Sequence, residues 1–304
     1  MSEITDGKTA FFPSFRRLDV EVHGVRFAGV IGGSGPPVLL LHGYPQTHIA
    51  WRKIAPDLSR SYMLVIPDLP GYGASRPGAM QPRWTKRRVS AALVALMRSL
   101  GHHWFAVVGH DRGARVGYRL ALDHPDLVVA FSSLTVVPTL DAMSAVDHRF
   151  ATKNFHWFLF AQNSDLPELL LAAAPDAFID RALATMAGGL ERIDPAALEA
   201  YRFAFRDPAV RHAICEDYRS AVNEDLELDA EDRAHGRKLS CPVQVLWPAA
   251  ETRPSAPNPI AVWSLWAEDV IGGTTSGGHL QPEDAPDEIL AALRLFLNSH
   301  LSAR

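Results

Sequence analysis

Short apolar runs alternate along this chain with longer stretches in which apolar residues recur at helical spacing. Three of the runs are continuous, at residues 38–41, 63–66 and 105–108. Continuous runs of this length are typical of strands buried on both faces of a parallel sheet. Upstream of them, two alternating segments at 17–22 and 25–30 flank His23-Gly24 and predict a hairpin.

Helical patterns separate these predicted strands. Thr85 is placed to cap a helix whose apolar positions recur every three to four residues until Gly101. A second helix is predicted at 113–122, directly after the third run, and a sixth strand at 127–137.

From about residue 139 to 237 the pattern is helical, and no strand-like run occurs. Strand signals return at 243–247 and 270–271, and a final amphipathic helix is predicted at 287–297. This order predicts an α/β fold: a mostly parallel, doubly wound sheet with a helical cap inserted after the sixth strand. We expect residues 1–138 and 238–304 to form the core domain and 139–237 the cap.

Composition narrows the class of protein. Of 304 residues, 47% are hydrophobic, which is enough for a large core, and the net charge of −4 comes with no long basic run. A nucleic-acid or membrane partner is therefore not expected. The two cysteines, Cys215 and Cys241, have neither disulfide-framework nor metal-site spacing. We expect a soluble cytoplasmic protein that uses no metal and no organic cofactor.

Asp111 lies in the segment Gly109-His-Asp-Arg-Gly113. A small residue two positions before and after a nucleophile is typical of a sharp turn from a strand into a helix, which exposes the central side chain. A carboxylate at that point can displace a leaving group from saturated carbon, because the resulting ester can be hydrolysed. The segment therefore predicts cleavage of a carbon–halogen bond or opening of an epoxide.

Together, five segments resemble the fluoroacetate (haloacetate) dehalogenases of the α/β-hydrolase superfamily. They are residues 109–115, His42-Gly-Tyr-Pro-Gln46, Asn154-Phe-His-Trp157, Cys215-Glu-Asp-Tyr-Arg219 and Gly277-Gly-His279. The resemblance extends from about residue 38 to the last helix. It implies the α/β-hydrolase fold, a homodimer, and conversion of a small 2-haloacid into the 2-hydroxy acid through an aspartyl ester.

One histidine near the C-terminus and two arginines beside Asp111 supply the other groups that this chemistry needs. His279 follows the last predicted strand, so we expect it to act as the general base on the water that hydrolyses the Asp111 ester. Arg112 and Arg115 lie one and four residues past the nucleophile. Guanidinium groups bind carboxylates well, which predicts that these two arginines hold the substrate carboxylate.

The resemblance also assigns a halide pocket to His156, Trp157 and Tyr218, all in the predicted cap. These side chains can donate N–H or O–H groups to a departing halide. The backbone amides of Tyr44 and Arg112 are expected to hold one oxygen of Asp111. A cis bond is expected at Pro45.

One catalytic position departs from the family pattern. Where the family has an aspartate just after the strand that follows the nucleophile helix, this chain has Thr135. Glu251, four residues past Trp247, is our preferred replacement for the acid that orients the histidine. Asp141 is a weaker candidate, and the absence of any carboxylate partner is an open alternative.

Two other functions are compatible with these residues. An epoxide hydrolase or haloalkane-type hydrolase would use the same nucleophile, and epoxide opening favours two cap tyrosines, which Tyr201 and Tyr218 could supply. A binding protein with a hydrolase fold would keep the pocket without efficient turnover, and Thr135 is the best support for it. The sequence does not rank the halides or identify the physiological substrate.

Overall fold

The computed structural model describes residues 4–5, 10–78, 83–251 and 258–302, with only the backbone described at Ile4, Thr5 and Glu251. Ten strands in this part of the chain form one sheet. They are β1 (Ile4–Thr5), β2 (Arg16–Val22), β3 (Val25–Gly32), β4 (Pro37–Leu41), β5 (Met63–Pro67), β6 (Arg76–Pro77), β7 (Phe105–His110), β8 (Val128–Leu134), β9 (Val243–Pro248) and β10 (Val270–Thr275).

The strand order is β1-β2-β3-β5-β4-β7-β8-β9-β10, with β6 paired to β3. Pairs from β5 through β4, β7, β8 and β9 to β10 are parallel, and those that involve β1, β2, β3 and β6 are antiparallel. The predicted hairpin and the mostly parallel, doubly wound sheet are thus confirmed. The short strands β1 and β6 were not predicted, so the insertion follows the eighth strand rather than the sixth.

Fourteen α-helices lie in the described ranges: α1 (Ala55–Leu58), α2 (Lys86–Ser99), α3 (Arg112–Asp123), α4 (Thr139–Ser144), α5 (His148–Lys153), α6 (Phe155–Phe160), α7 (Leu166–Ala173), α8 (Pro175–Ala187), α9 (Pro195–Arg206), α10 (Pro208–Val222), α11 (Glu224–Ala234), α12 (Pro259–Trp263), α13 (Gln281–Asp284) and α14 (Pro286–Leu301). Short 3₁₀ helices occupy His48–Trp51, Leu190–Arg192 and Ala249–Glu251.

The sheet separates two apolar cores because successive side chains of a strand point to opposite faces. On β4, Leu39 and Leu41 join the core that includes α2 and α3. Val38 and Leu40 join the core formed with α1 and α14. Both faces of the central strands are therefore buried, which explains why their sequences are continuously apolar.

Local signals fix the ends of α2. The Thr85 hydroxyl accepts the amide of Arg88 at 3.2 Å and so caps the first turn. Gly101, just past the last turn, has a φ of +86°, a conformation that glycine adopts without the penalty that a Cβ would bring.

Eight helices, α4 to α11, connect β8 to β9, and we call them the helical insertion. Their buried side chains, including Phe160, Leu183 and Tyr218, join the core on the α2 and α3 face of the sheet. The domain limits drawn from the sequence stay a prediction. None of the helices in the described part of the chain combines the length and apolar character that crossing a membrane requires.

Candidate active site

Asp111 occupies a sharp turn between β7 and α3. Its φ of 48° and ψ of −115° are unusual for a residue with a Cβ, so the surrounding structure has to hold this conformation. Neighbouring positions have no room for side chains. A Cβ at Gly113 would lie 2.3 Å from the carbonyl oxygen of Leu41, and one at Gly109 would lie 2.5 Å from Cα of Ala114. The glycine spacing in the sequence thus reflects a steric requirement of the turn.

The carboxylate of Asp111 faces the loop after β4. Its Oδ2 accepts the backbone amide of Tyr44 at 3.0 Å, and a Cβ at Gly43 would lie 2.5 Å from Cβ of Asp111. The Tyr44-Pro45 bond is cis, as predicted. The expected second amide, that of Arg112, makes no hydrogen bond to the carboxylate in the described structure. Asp111 precedes α3 without capping it, because the turn directs its side chain towards Tyr44.

His279 lies in the loop between β10 and α13, at the carboxyl end of the sheet. Its Nε2 is 3.9 Å from Oδ1 of Asp111, the oxygen that Tyr44 does not hold. Its backbone amide donates to the carbonyl of Met186 in the helical insertion at 3.2 Å. A water molecule between the imidazole and the carboxylate would be within reach of both groups.

Arg112 is completely buried and is held by one residue of α10. Its Nε donates to Oδ2 of Asp217 at 2.6 Å, and its Nη2 donates to the main-chain oxygen of Asp217 at 2.9 Å. Burial lowers the pKa of Arg112, but Asp217 outweighs it and the pKa stays well above its ordinary value. Nη1 has no hydrogen-bond partner in the described structure. Asp217 thus occupies the Nε–Nη2 edge of the guanidinium group, and binding of the substrate carboxylate by Arg112 stays a prediction.

Arg115 is also buried, and no carboxylate within the described residues pairs with it. Its Nη1 donates to the hydroxyl of Thr139 at 3.0 Å, and its Nε has no partner. Burial lowers the pKa of Arg115, and the nearby charge of Arg112 lowers it further. A buried cation without an ion-pair partner is unfavourable.

Aromatic side chains of the helical insertion cover the two arginines. The guanidinium carbon of Arg115 lies 4.8 Å from the Trp157 ring centre, and that of Arg112 lies 4.3 Å from the Tyr218 ring centre. His156 packs 5.7 Å from Tyr218 and stacks on Tyr44 at 5.5 Å. The structure therefore brings the three residues predicted for the halide pocket together beside Tyr44 and the two arginines.

Electrostatics keep Asp111 ionised and His156 neutral. Burial raises the pKa of Asp111, but His279, His110 and the two arginines outweigh it, and the net shift is downward. Burial lowers the pKa of His156 to about 4. Burial also raises the pKa of Tyr218, so its hydroxyl stays a donor. The site thus combines an anionic carboxylate with neutral N–H and O–H donors.

Comparison with known proteins places this chain in a family. The family model for the alpha/beta hydrolase fold matches residues 36–228. The fluoroacetate dehalogenase of a Burkholderia species is 38% identical over 291 residues, which are 94% of this chain and 95% of that protein. The chain belongs to the fluoroacetate dehalogenase family of α/β-hydrolases.

Epoxide hydrolases are further relatives of this hydrolase. A mutant of a candidate epoxide hydrolase from Pseudomonas aeruginosa, solved with bound MFA, is 51% identical with a TM-score of 0.93. The match covers 96% of this chain and 98% of that chain. The soluble epoxide hydrolase of Corynebacterium sp. strain C12 is 28% identical over 90% of this chain and 95% of that protein.

Thr135, which stands where the resemblance to the dehalogenases implies an acid, lies beside His279. The Thr135 hydroxyl lies 3.1 Å from the main-chain oxygen of His279. Asp141 accepts hydrogen bonds from Arg233 and from the Trp266 indole, which favours a structural role and not the catalytic one considered for it. Glu251 ends the 3₁₀ helix after β9, and its side chain lies outside the described residues.

The sequence did not predict several residues that shape the site. Asp217 lies in the segment Cys215–Arg219 that resembles the dehalogenases, yet its contact with Arg112 spans 105 positions. His110 donates from Nε2 to the main-chain oxygen of His279 at 2.7 Å. The position of His110 next to Asp111 was the one signal for it, and nothing local indicated its contact with His279. Within the described ranges, no three His, Cys, Asp or Glu side chains are arranged to hold a metal ion.

Proposed function

We propose that this hydrolase removes the halide from a small 2-haloacid, such as fluoroacetate, through an ester formed on Asp111. The observation that carries the proposal is the pair of unpartnered, buried N–H groups on Arg112 and Arg115. They lie on the first turn of α3, directly after the nucleophile. A monoanionic carboxylate would satisfy both donors and supply the counter-ion that Arg115 lacks in the described structure.

In the first step, Oδ1 of Asp111 attacks the halogenated carbon from the side opposite the halogen. A carbon–oxygen bond forms, the carbon–halogen bond breaks, and the halide leaves with the bonding electrons. Oδ2 stays bound to the Tyr44 amide and becomes the ester carbonyl oxygen. Tyr44 leaves Oδ1 free, and Nε2 of His279 lies 3.9 Å from it. Both observations support Oδ1 as the attacking oxygen and Oδ2 as the carbonyl oxygen.

In the second step, His279 takes a proton from water as the water attacks Cγ of Asp111. The bond between Cγ and the ester oxygen then breaks, and the alkoxide takes the proton from His279 and leaves as the 2-hydroxy acid. One oxygen of the restored carboxylate comes from the water, whose second proton is lost to solvent. During this attack the ester carbonyl oxygen becomes negatively charged. The Tyr44 amide, 3.0 Å from Oδ2, supports stabilisation of that charge.

Departure of the halide is the proposed role of His156, Trp157 and Tyr218. Fluoride in particular needs hydrogen-bond donors, because it is a poor leaving group. His156 is neutral and Tyr218 is protonated at neutral pH, as their pKa shifts indicate. Both can therefore donate without carrying a charge that would compete for the substrate carboxylate.

For the acid that orients His279, we keep the proposal of Glu251. β9 lies between β8 and β10 and is parallel to both. Residues that follow β9 therefore emerge at the same carboxyl end of the sheet as Thr135 and the loop that carries His279. Glu251→Gln should slow hydrolysis of the ester more than the first displacement. Single-turnover kinetics that resolve the two steps would test this, and an unchanged ester-hydrolysis rate would reject it.

Halide release from fluoroacetate and chloroacetate, assayed beside the opening of styrene oxide, tests the proposed substrate class. We expect halide release and little diol. The relatives make epoxide hydrolysis the second candidate, and diol formation without halide release would establish it. The Tyr201 hydroxyl donates to Glu283 at 2.7 Å, so it is not free to protonate an epoxide oxygen as that mechanism favours.

A binding protein without turnover is the non-enzymatic alternative to the proposed reaction. Intact-mass spectrometry of a His279→Gln variant after addition of chloroacetate distinguishes the two. A stable mass increase on Asp111 supports the enzyme, since the ester forms but is not hydrolysed. Reversible binding with no change in mass supports the binding protein. A cap at residues 139–237, a homodimer and a cytoplasmic location complete the proposal.

A further inference from the structure

The carboxylate of Asp217 lies at the centre of a polar cluster between the helical insertion and the part of the chain that contains the sheet. Its Oδ2 accepts Nε of Arg112 at 2.6 Å and the hydroxyl of Tyr72 at 2.9 Å. Its Oδ1 accepts the ammonium group of Lys86, at the start of α2. Three donors from outside the insertion therefore fix one carboxylate within it.

This cluster determines the direction of the Arg112 guanidinium group. The side-chain and main-chain oxygens of Asp217 hold Nε and Nη2, so a single residue occupies one whole edge of the fork. Because a guanidinium group is planar and rigid, fixing two nitrogens also fixes the third. The ring of Tyr218, 4.3 Å from the guanidinium carbon, restrains the plane from one side. Nη1 is left as the unpartnered donor.

Lys86 adjusts the charge of the same cluster. Asp217 alone would neutralise Arg112 and weaken its attraction for an anion. The Lys86 ammonium group contacts Asp217 and lies 3.4 Å from Asp225, so it shares the two carboxylates. Asp217 therefore divides its negative charge between Arg112 and Lys86, so it holds Arg112 firmly without wholly neutralising it.

We propose that Asp217 is a positioning residue for recognition of the substrate carboxylate. Asp217 directs Nη1 of Arg112 towards the substrate site beside Asp111. Lys86 and Tyr72 hold Asp217 in place. Asp217 does not touch the substrate in this scheme and acts through Arg112. The inference rests on the proposed haloacid dehalogenase activity.

The test compares Asp217→Asn with Asp180→Asn. Asp180 forms a two-point ion pair with Arg202 within the helical insertion, so its variant is a matched control for loss of an Asp–Arg pair. For Asp217→Asn we expect the KM for chloroacetate and the Kd for acetate each to rise about tenfold, with a smaller change in kcat. Asp180→Asn should leave both constants within about twofold of the wild-type values.

Tyr72→Phe removes only one donor to Asp217 and repeats the test if Asp217→Asn does not fold. It should raise the same two constants about threefold. Unchanged KM and acetate Kd in a folded Asp217→Asn protein would overturn the inference, as would an equal effect in Asp180→Asn. Halide release by the wild-type protein tests the proposed function separately, so the two failures can be told apart.

Discussion

The hydroxyl of Thr135 lies 3.1 Å from the main-chain oxygen of His279, an oxygen that also accepts Nε2 of His110 at 2.7 Å. Thr135 has a φ of 79°, a conformation that is unfavourable for a β-branched residue and that Asp and Asn adopt more easily. Thr135 and His110 therefore anchor the backbone of the loop that carries His279, although Thr135 supplies no carboxylate where the resemblance to the dehalogenases implies one.

We predict that Thr135→Asp rescues the Glu251→Gln variant. The aspartate would place a carboxylate beside the histidine loop and would relieve the strained φ of residue 135. Single-turnover measurements should show ester hydrolysis in the double variant at least about tenfold faster than in Glu251→Gln alone. Thr135→Asn is the matched control, because it relieves the backbone without adding charge. An equal gain from the asparagine would show that charge is not the cause.

Replacement of Arg115 should change acetate affinity and the free energy of unfolding in opposite directions. Arg115→Met removes a buried cation that has no carboxylate partner in the described structure, so we expect the free energy of unfolding to rise by about 1 kcal/mol. The same change should weaken acetate binding at least tenfold, since it deletes an N–H donor and a charge. Urea denaturation and calorimetric titration measure the two effects. Lower stability together with unaltered acetate affinity would contradict this role for Arg115.

Tyr201→Phe distinguishes a structural tyrosine from a catalytic one. The Tyr201 hydroxyl donates to Glu283, which also pairs with Arg52 at 2.6 Å and 2.7 Å. Loss of one buried hydrogen bond should lower the free energy of unfolding by about 1 kcal/mol. Halide release should stay within about twofold of wild type. A collapse of turnover in a stable Tyr201→Phe protein would instead support the epoxide-hydrolase mechanism.

Buried histidines and aspartates should make opposite contributions to stability in acid. Burial lowers the pKa of His110 and His156 from 6.5 to about 4, so unfolding takes up protons and stability falls as pH drops from about 6.5 towards 4. Burial raises the pKa of Asp229 and Asp284 from 3.8 to about 6, so their unfolding releases protons in the same window.

The two contributions can be separated by substitution. We expect His156→Gln to reduce the loss of stability between pH 6.5 and 4, and Asp229→Asn to increase it. Urea unfolding at several pH values in this window measures both slopes. Parallel slopes in the two variants and the wild type would show that these groups do not titrate as their burial implies.

The fold was largely predictable because its central strands carry a strong local signal. Both faces of β4, β5 and β7 are buried, so their sequences are continuously apolar. β1 and β6 have two residues each, which is too short for any periodicity to appear. The end of β8 at Leu134 was predicted too late, since the apolar pattern continues into Val136 and Val137 beyond the last sheet pairing.

The site was predictable where its residues follow one another along the chain. Asp111 and the two arginines share one turn, and the steric needs of that turn appear as glycines in the sequence. Contacts between the helical insertion and the rest of the chain leave no comparable pattern in the sequence. The Arg112–Asp217 contact joins residues 105 positions apart, so the occupied edge of Arg112 could not be inferred from spacing.

The most direct test of the central claim is incorporation of oxygen-18 into Asp111. The enzyme would turn over chloroacetate repeatedly in labelled water, and the peptide that contains Asp111 would be analysed by mass spectrometry. If the carboxylate is the nucleophile, hydrolysis of each ester at Cγ places a solvent oxygen in Asp111, and we predict that the peptide becomes labelled. Label in the 2-hydroxy acid after many turnovers, with none in the peptide, would mean that water attacks the substrate directly and would contradict the ester mechanism.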